Sequence, residues 1–539
     1  MSTSFIPETA PFNEEQRAWL NGFFAGMMGL QPGGDASAVM GAAGISADSL
    51  PGAMEEEAAE EEEDFPWHDA ALPIIDRMEL AEGRTLPRRL MAAMAQLDCG
   101  SCGYLCQSYS EAIASGEETN LTLCSPGGKE TSKMIKKLMK ESSESGITNG
   151  TANGASTNGT QSADTTPIGF SRKKPYEAKL IESKPLNLEG SAKDTRHVAI
   201  DLADSGIQYD VGDALGIYPT NCGELASKIV RAIGANAKLL VETSGGPKSL
   251  DQVLSEDYCL RDPSDELLEL ILSRITDEAK KETLQMMLDE GTPEGFDVLD
   301  VLELAGELAI SATEFTETLS PLNPRLYSIA SSQKKVGTEV HLTVGKVVYE
   351  REGRVRKGVA STMLADRLGS DGTVKVFVQP NHGGFTVPAD PNVPMIMVGP
   401  GTGIAPFLAF LQERDAIDAR GKNWLFFGDQ HEATDFLYES ELRDYAERGV
   451  LNRLDTAFSR DGSRKVYVQD RMREHASELW SWLDDGAHFY VCGDASRMAL
   501  DVDRALKEIV SEQGGMQESE AAAYISKMSQ EHRYVRDVY

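Results

Sequence analysis

The sequence predicts a multidomain chain: an antiparallel β-barrel interrupted by a helical insertion, a doubly wound α/β domain after it, and a small α-rich domain before it. Three observations predict this. The octapeptide RLYSIASS at Arg325–Ser332 lies in strand-type sequence, and alternating strand patterns also fill Tyr176–Tyr218. The apolar run PMIMVG at Pro394–Gly399 feeds directly into GPGTGIAPF at Gly399–Phe407, the strand, glycine turn and helix of a doubly wound sheet. Four of the seven cysteines are packed between Cys99 and Cys124, upstream of both.

A chain of 539 residues holds about three to four domains. Its formal net charge of −34 argues against nucleic acid or an anionic membrane as partner and favours a protein with a basic docking face, although acidity also serves solubility. No stretch approaches the roughly 20 apolar residues of a membrane span, and the first residues lack a basic-then-apolar signal. The expected location is the cytoplasm, where clustered thiolates point to metal rather than to disulfides.

Residues 1–64 carry an amphipathic helix at Asn13–Leu30, opened by an Asn-x-x-Gln cap, and a solvated acidic run at Glu55–Asp64. The helix either packs on the body of the protein or docks on a partner. Residues 65–141 hold the sequence CGSCGYLC at Cys99–Cys106, then EAIASGE, then CSPGG at Cys124–Gly128. Three thiolates within eight residues and a fourth about two helical turns and a loop later can converge on one cubane, so Cys99, Cys102, Cys106 and Cys124 are the candidate metal ligands. Four cysteines would also satisfy a structural zinc, though zinc sites usually pair them as two knuckles. The block resembles the small four-iron domains of electron-transport complexes and corrinoid iron-sulfur proteins. Here the gap between Cys102 and Cys106 is one residue shorter. Residues 142–168 read as a flexible linker of Ser, Thr, Asn and Gly, with an r.m.s. span of about 25–30 Å. Such a linker would let the four-cysteine domain swing, or would serve as a passive spacer.

Residues 169–390 form the predicted barrel, with 222–319 as its helical insertion; LLELILSRI and LQMMLDE are the clearest helical turns there. In RLYSIASS, Arg325, Tyr327 and Ser328 have the chemistry to hold a flavin: cation on pyrophosphate, ring against the isoalloxazine, hydroxyl near N5. HLTVGKVVY then alternates as a barrel strand and contributes Thr343 and Tyr349 as candidate cofactor contacts. KGVASTML opens a helix whose Gly358, Val359, Ser361 and Thr362 present N–H groups and a dipole to the FAD pyrophosphate, or merely cap it.

Residues 391–539 form the predicted nucleotide domain. Gly401, Thr402 and Gly403 allow close backbone approach to a pyrophosphate. SRDGSRKVYVQ supplies Ser459, Arg460 and Lys465 for an extra phosphate, with Tyr467 to stack on adenine and Gln469 beside it; this pattern favours NADPH over NADH. Asp461 lies inside that loop as a possible ribose acceptor. YVCGDASRM places Cys492 at a strand end and Asp494 just beyond it. The closing RYVRDVY brings Asp537 and an aromatic Tyr539. Thiol, carboxylate and the Ser328 hydroxyl together can line the path between nicotinamide and flavin.

In this order the motifs from Ser171 to Tyr539 are similar to the FAD/NADPH half of the diflavin reductase family, the flavoprotein subunits of sulfite reductase most of all. The helical insertion resembles that family's connecting domain. The resemblance implies that Arg325, Tyr327 and Ser328 contact FAD, that Ser328, Cys492 and Asp537 assist hydride transfer, and that Tyr539 shields the flavin. It also implies Ser459, Arg460, Lys465, Tyr467 and Gln469 as the NADPH 2′-phosphate and adenine site. The family's FMN-binding flavodoxin domain has no counterpart in Met1–Ser171, and the four-cysteine domain stands in its place. The implied path runs from NADPH to FAD to a 4Fe-4S cluster to a partner, a sirohaem sulfite reductase haemoprotein. Alternatives are a reductase for nitrite reductase or ferredoxin, or a diaphorase with a zinc-stabilised interaction module.

Overall fold

The computed structural model describes residues 65–539 except 68–71, 97–99, 145–166 and positions 101, 125, 244, 370, 371 and 382. The helix read at Asn13–Leu30, the acidic run at Glu55–Asp64, most of the linker and Cys99 therefore lie outside the described residues.

The cysteine region is helical. It contains α1 (Ile74–Leu80), α2 (Leu86–Ala93), α3 (Cys106–Ser115) and α4 (Gly128–Glu144). Apolar faces at helical spacing meet in a core of Leu90, Met94, Tyr109, Ile113, Ile135 and Leu138. Gly116 ends α3 in the left-handed conformation, at φ 77°, which a glycine adopts without the steric cost other residues incur.

The first sheet begins with β1 (Tyr176–Pro185), β2 (Thr195–Asp201) and β3 (Ala214–Ile217). The insertion follows. It comprises six helices from Gly223–Ala232 to Ala312–Glu317 and a small hairpin, β4 (Leu240–Thr243) with β5 (Gly246–Ser249). It has its own core around Leu254, Leu267, Ile271, Leu302 and Phe315. Ser264, Asp277, Asp297 and Ser311 cap four of its helices through their side chains, each worth about 1 kcal/mol. The chain returns through β6 (Arg325–Ser328) and β7 (Glu339–Gly345), forms the hairpin β8 (Val348–Arg351) with β9 (Arg354–Lys357), and completes the sheet with β10 (Thr373–Gln379).

The antiparallel order is β6-β3-β10-β1-β2-β7. An isolated bridge between Ile329 and Leu342 joins the run after β6 to β7, so the two edges of the sheet meet there. HLTVGKVVY is not one strand. The Lys346 N–H bonds to Asp194 O, and Lys346 Nζ pairs with Asp194 and Asp366, which turns the chain out of the sheet. Glu352 and Gly353, at φ 50° and 72°, then close β8 and β9 into a hairpin of their own. Arg354 and Arg356 of that hairpin pair with Asp297 and Asp300, fastening it to the insertion.

The second sheet is parallel: β11 (Met395–Val398), β12 (Asn423–Asp429), β13 (Arg453–Phe458), β14 (His488–Gly493) and β15 (Tyr534–Val538), in the order β13-β12-β11-β14-β15. Every residue of β11 and β12 is buried, which is why they read as continuous apolar runs. The first two turns of the helix Ala405–Ala416, through Leu411, are apolar on every side because they too are enclosed. The chain starts in the middle at β11, builds outward through β13, and then crosses back to β14. That reversal makes a crevice at the carboxyl ends of β11 and β14, where doubly wound sheets bind ligands.

Candidate active site where the two sheets meet

β6 is an edge strand of the antiparallel sheet and β15 an edge strand of the parallel one. Ser328, the last residue of β6, donates its hydroxyl to Asp537 Oδ2 across 2.7 Å. Asp537 is register partner of Cys492 on β14, and the Cys492 thiol lies 3.7 Å from the same carboxylate oxygen. One carboxylate thus gathers two donors, one from each sheet. Burial, reinforced by the Asp537 charge, pushes the Cys492 thiol well up, so at neutral pH it is a neutral S–H.

The glycine motif caps the crevice. Gly401–Ile404 forms a tight turn that runs into the helix Ala405–Ala416. A Cβ at Gly403 would lie 2.1 Å from Cys492 O, so only glycine lets the turn press on β14. Gly401 takes φ 58°. The hydroxyl of Thr402 meets that of Tyr539 at 2.9 Å, and Tyr539 is held by its N–H to Gly493 O. Tyr539 as a whole residue is 42% exposed, and its buried hydroxyl lies within electrostatic reach of Cys492 and Asp537.

Ser459 follows β13, with its N–H and hydroxyl on Asp429 O. Arg460, Lys465 and Tyr467 are exposed on the loop beyond, and among the described residues Arg460 and Lys465 have no acidic partner. Gln469 is the second residue of the next helix, Val468–Glu474, and bonds Asp501, while Asp494 accepts the N–H groups of Arg497 and Met498 at the start of another. Asp461 is engaged elsewhere: its oxygens bond His431 Nδ1 and the Glu432 N–H, each at 2.8 Å, and these bonds hold its carboxyl below the usual range.

On the other side, Arg325 turns its guanidinium to the carbonyls of Asn323 and Pro324 and has no carboxylate partner among the described residues, so its charge is left for an anion. Tyr327 is half-buried and pairs with Leu215. Gly358 and Val359 precede a helical turn whose first amides have no partner within the helix. Thr362 donates to Gly358 O and Ser361 accepts the Val347 N–H. A Cβ at Gly358 would lie 2.4 Å from Ser361 Oγ, so glycine is required. Two candidates stand apart from this group. Thr343 is buried against Tyr438 of the second sheet's domain, at 2.8 Å, and Tyr349 lies on the exposed β8 hairpin.

Cys102, Cys106 and Cys124 line one cavity together with Tyr104, Tyr109 and Leu123. Cys106 is the first residue of α3. Among the described residues no three His, Cys, Asp or Glu groups are close enough to hold a single metal ion. No described helix is long and apolar enough to cross a membrane.

Sequence reasoning passed over three residues. Lys193, from the loop between β1 and β2, meets Asp429 at the end of β12 at 2.5 Å, and both approach Gly401 within 3.8 Å of a would-be Cβ. Asp429 carried a signal, since an acidic residue ending the second strand of such a domain is where a ribose 2′-hydroxyl binds; Lys193 carried none. Arg172 stacks on Tyr104, its guanidinium carbon 3.8 Å from the ring centre, in a contact no local pattern announces.

Residues 168–363 match the FAD binding domain family and residues 397–504 the oxidoreductase NAD-binding domain family. The chain is 46% identical over 375 residues to the sulfite reductase (NADPH) flavoprotein alpha-component of Vibrio cholerae, covering 69% of this chain and 60% of that one. It is 44% identical to the alpha-component of Bacillus subtilis, covering 69% and 62%, and 43% identical to that of Mannheimia succiniciproducens with the same coverage. The chain thus spans about three fifths of the length of these curated relatives. The antiparallel sheet with its helical insertion and the parallel sheet that follows are the paired FAD-binding and NAD-binding domains of an oxidoreductase.

Proposed function

We propose that the chain is an NADPH-dependent FAD oxidoreductase that passes electrons through a 4Fe-4S cluster on Cys99, Cys102, Cys106 and Cys124 to a sirohaem sulfite reductase haemoprotein, in a reducing cytoplasm. The observation that carries the reductase reading is the meeting of Ser328, Cys492 and Asp537 at the crevice between the two sheets. The names of the relatives supply the sulfite reductase partner.

The donor set suits FAD: Arg325, which has no carboxylate partner among the described residues, the half-buried ring of Tyr327, and the first-turn amides after Gly358, on a sheet we read as a barrel closed at the Ile329–Leu342 bridge. FAD, when bound, accepts a hydride and releases electrons singly. Around it, Asp537 fixes the Ser328 hydroxyl and the neutral Cys492 thiol, and its negative charge favours the positive ring that NADPH becomes as hydride leaves. Tyr539 covers the site and keeps water out until nicotinamide takes its place. Both carboxylates that could accept a 2′-hydroxyl, Asp429 and Asp461, are engaged, while Arg460 and Lys465 are left for a 2′-phosphate.

The three described cysteines fit a cluster in that they share one cavity with apolar walls and glycine backbone close by; a Cβ at Gly127 would lie 3.0 Å from Cys124 Sγ. A bound cubane would take one electron at a time. Iron and acid-labile sulfide on anaerobically purified protein, then EPR after NADPH, test the reading. About four irons and a reduced-cluster signal are expected. Zinc without iron, with the flavin still bleached by NADPH, would instead leave a diaphorase with a structural module.

A further inference from the structure

The cysteine region is seated on β6, the strand that carries Arg325, Tyr327 and Ser328. A Cβ at Gly100 would lie 2.5 Å from the Cβ of Leu326, and one at Gly103 would lie 2.9 Å from both Cγ and O of Pro324. Glycine is therefore what lets the cysteine loop touch the strand, and both glycines also have positive φ, 62° and 79°. Along a strand successive side chains alternate, so Leu326 projects from the face opposite Arg325 and Tyr327. The loop thus lies against β6 on the face opposite Arg325 and Tyr327 and, by the same alternation, on the face that carries Ser328.

A cation secures the contact. Arg172 lies over the Tyr104 ring at 3.8 Å, donates to Asn323 Oδ1 at 2.9 Å, and points Nη1 at Gly103 O. Its own backbone is held by the Tyr218 hydroxyl on Arg172 O at 2.5 Å. Tyr104 in turn lines the cavity of Cys102, Cys106 and Cys124. Arg172 therefore bridges the segment before β6, the cysteine loop and the wall of the cysteine cavity. A cation over a tyrosine ring is attracted by the ring's quadrupole, more so away from water, and Arg172 is half-buried beside the buried Tyr104. A more distant contact, Lys129 Nζ on Leu288 O at 2.8 Å, ties α4 to the helical insertion.

We propose that this seat is a fixed electron outlet for the flavin and that Arg172 is the positioning residue that holds the cysteine centre on β6. The inference rests on the cluster reading above and adds that the cluster is reduced in place, without the domain leaving on its linker. Each hydride from NADPH brings two electrons. A cluster held by these cysteines would take those electrons one at a time and give each to a one-electron acceptor protein, with NADP⁺ leaving and the proton of the hydride going to solvent.

The test uses the full chain, purified anaerobically, as wild type, Arg172→Ala and Arg172→Lys. Iron, sulfide and FAD contents are read first, then amide hydrogen exchange over 324–328, then stopped-flow reduction by NADPH followed separately at flavin and cluster wavelengths. Expected for Arg172→Ala are unchanged iron and FAD, unchanged flavin bleaching, faster exchange over 324–328, and cluster reduction slowed at least about tenfold, with partial recovery in Arg172→Lys. Unchanged exchange or unchanged cluster reduction in Arg172→Ala would overturn the proposal. Loss of iron in Arg172→Ala would also overturn it, by making Arg172 part of the cluster's own support. Absence of iron from the wild type defeats the cluster reading itself and is seen in the first measurement, before any variant is compared.

Discussion

Lys193 reaches across from the antiparallel sheet's domain to Asp429 at the end of β12, 2.5 Å away, in the angle beside the Gly401 turn. The Asp429 side chain is 1% exposed, and its Oδ2 is buried without a partner among the described residues. Burial pushes the Asp429 carboxyl up while Lys193 pulls it down, with burial the larger effect. Lys193→Met leaves a buried carboxylate unpaired and is expected to cost about 1–3 kcal/mol at neutral pH, less than for a fully buried pair because the lysine is 38% exposed.

The pH dependence of that cost has a definite sign. A carboxyl whose folded pKa is raised binds its proton more tightly folded than unfolded, so it favours the fold at low pH and that advantage is lost as pH rises through the folded value. Removing Lys193 raises the folded value further. The Lys193→Met deficit should grow as pH rises through the folded value of Asp429 and beyond, and Lys193→Met/Asp429→Asn should recover most of it. Denaturant titrations at several pH values measure this.

Asp537→Asn keeps the shape of the Ser328–Asp537–Cys492 group but removes its charge. Hydride transfer from NADPH is expected to slow by about 10²–10³, as when a preorganised electrostatic group is lost, with NADPH affinity little changed. Ser328→Ala acts on the same carboxylate, so the double variant should be little slower than the worse single one. Single-turnover bleaching of the flavin separates the step from coenzyme binding.

Arg460→Ala should raise the NADPH KM by about tenfold to a hundredfold, as expected for a charged hydrogen bond, and leave the NADH KM nearly unchanged. Because Asp461 is held by His431 and the Glu432 amide, Asp461→Asn should disturb the loop without converting the enzyme to NADH. Steady-state kinetics with both coenzymes check the pair.

His197 packs edge-on to His341 and meets the Tyr438 hydroxyl at 3.1 Å, where the two sheets' domains touch. Burial, with His341 and Lys184 adding repulsion, holds its pKa down to about 3. The unfolded chain, titrating near 6.5, takes up the proton that the folded one refuses. Stability from this group is therefore full above about pH 6.5 and falls by up to about 1.4 kcal/mol per pH unit as pH drops toward 3. His197→Gln should flatten that limb of a stability-against-pH curve.

Much of the fold around the candidate site was legible in the sequence because its parts are local. The order RLYSIASS, GPGTGIAPF, SRDGSRKVYVQ and YVCGDASRM carries both sheets, since alternation, buried apolar runs and glycine turns are consequences of neighbours in the chain. The insertion at 222–319 was legible in the same way, through its helical period. HLTVGKVVY was misread as one strand because its alternation continues past Gly345; what ends β7 is Lys346 turning to Asp194 and Asp366, partners distant in sequence.

Residue type and spacing alone carried the reading of an FAD-binding and an NAD-binding domain, which the family matches support, and they motivate the proposals of an extra-phosphate site and of a metal centre at the clustered thiols. Tertiary structure alone decided who meets whom. It set Ser328 on Asp537 across two sheets, turned Asp461 to His431, closed Asp429 with Lys193, and seated Gly100 and Gly103 on β6 under Arg172. The reason is physical: local propensity acts over a few residues, whereas a buried charge or donor must find its partner wherever packing brings one within hydrogen-bond reach.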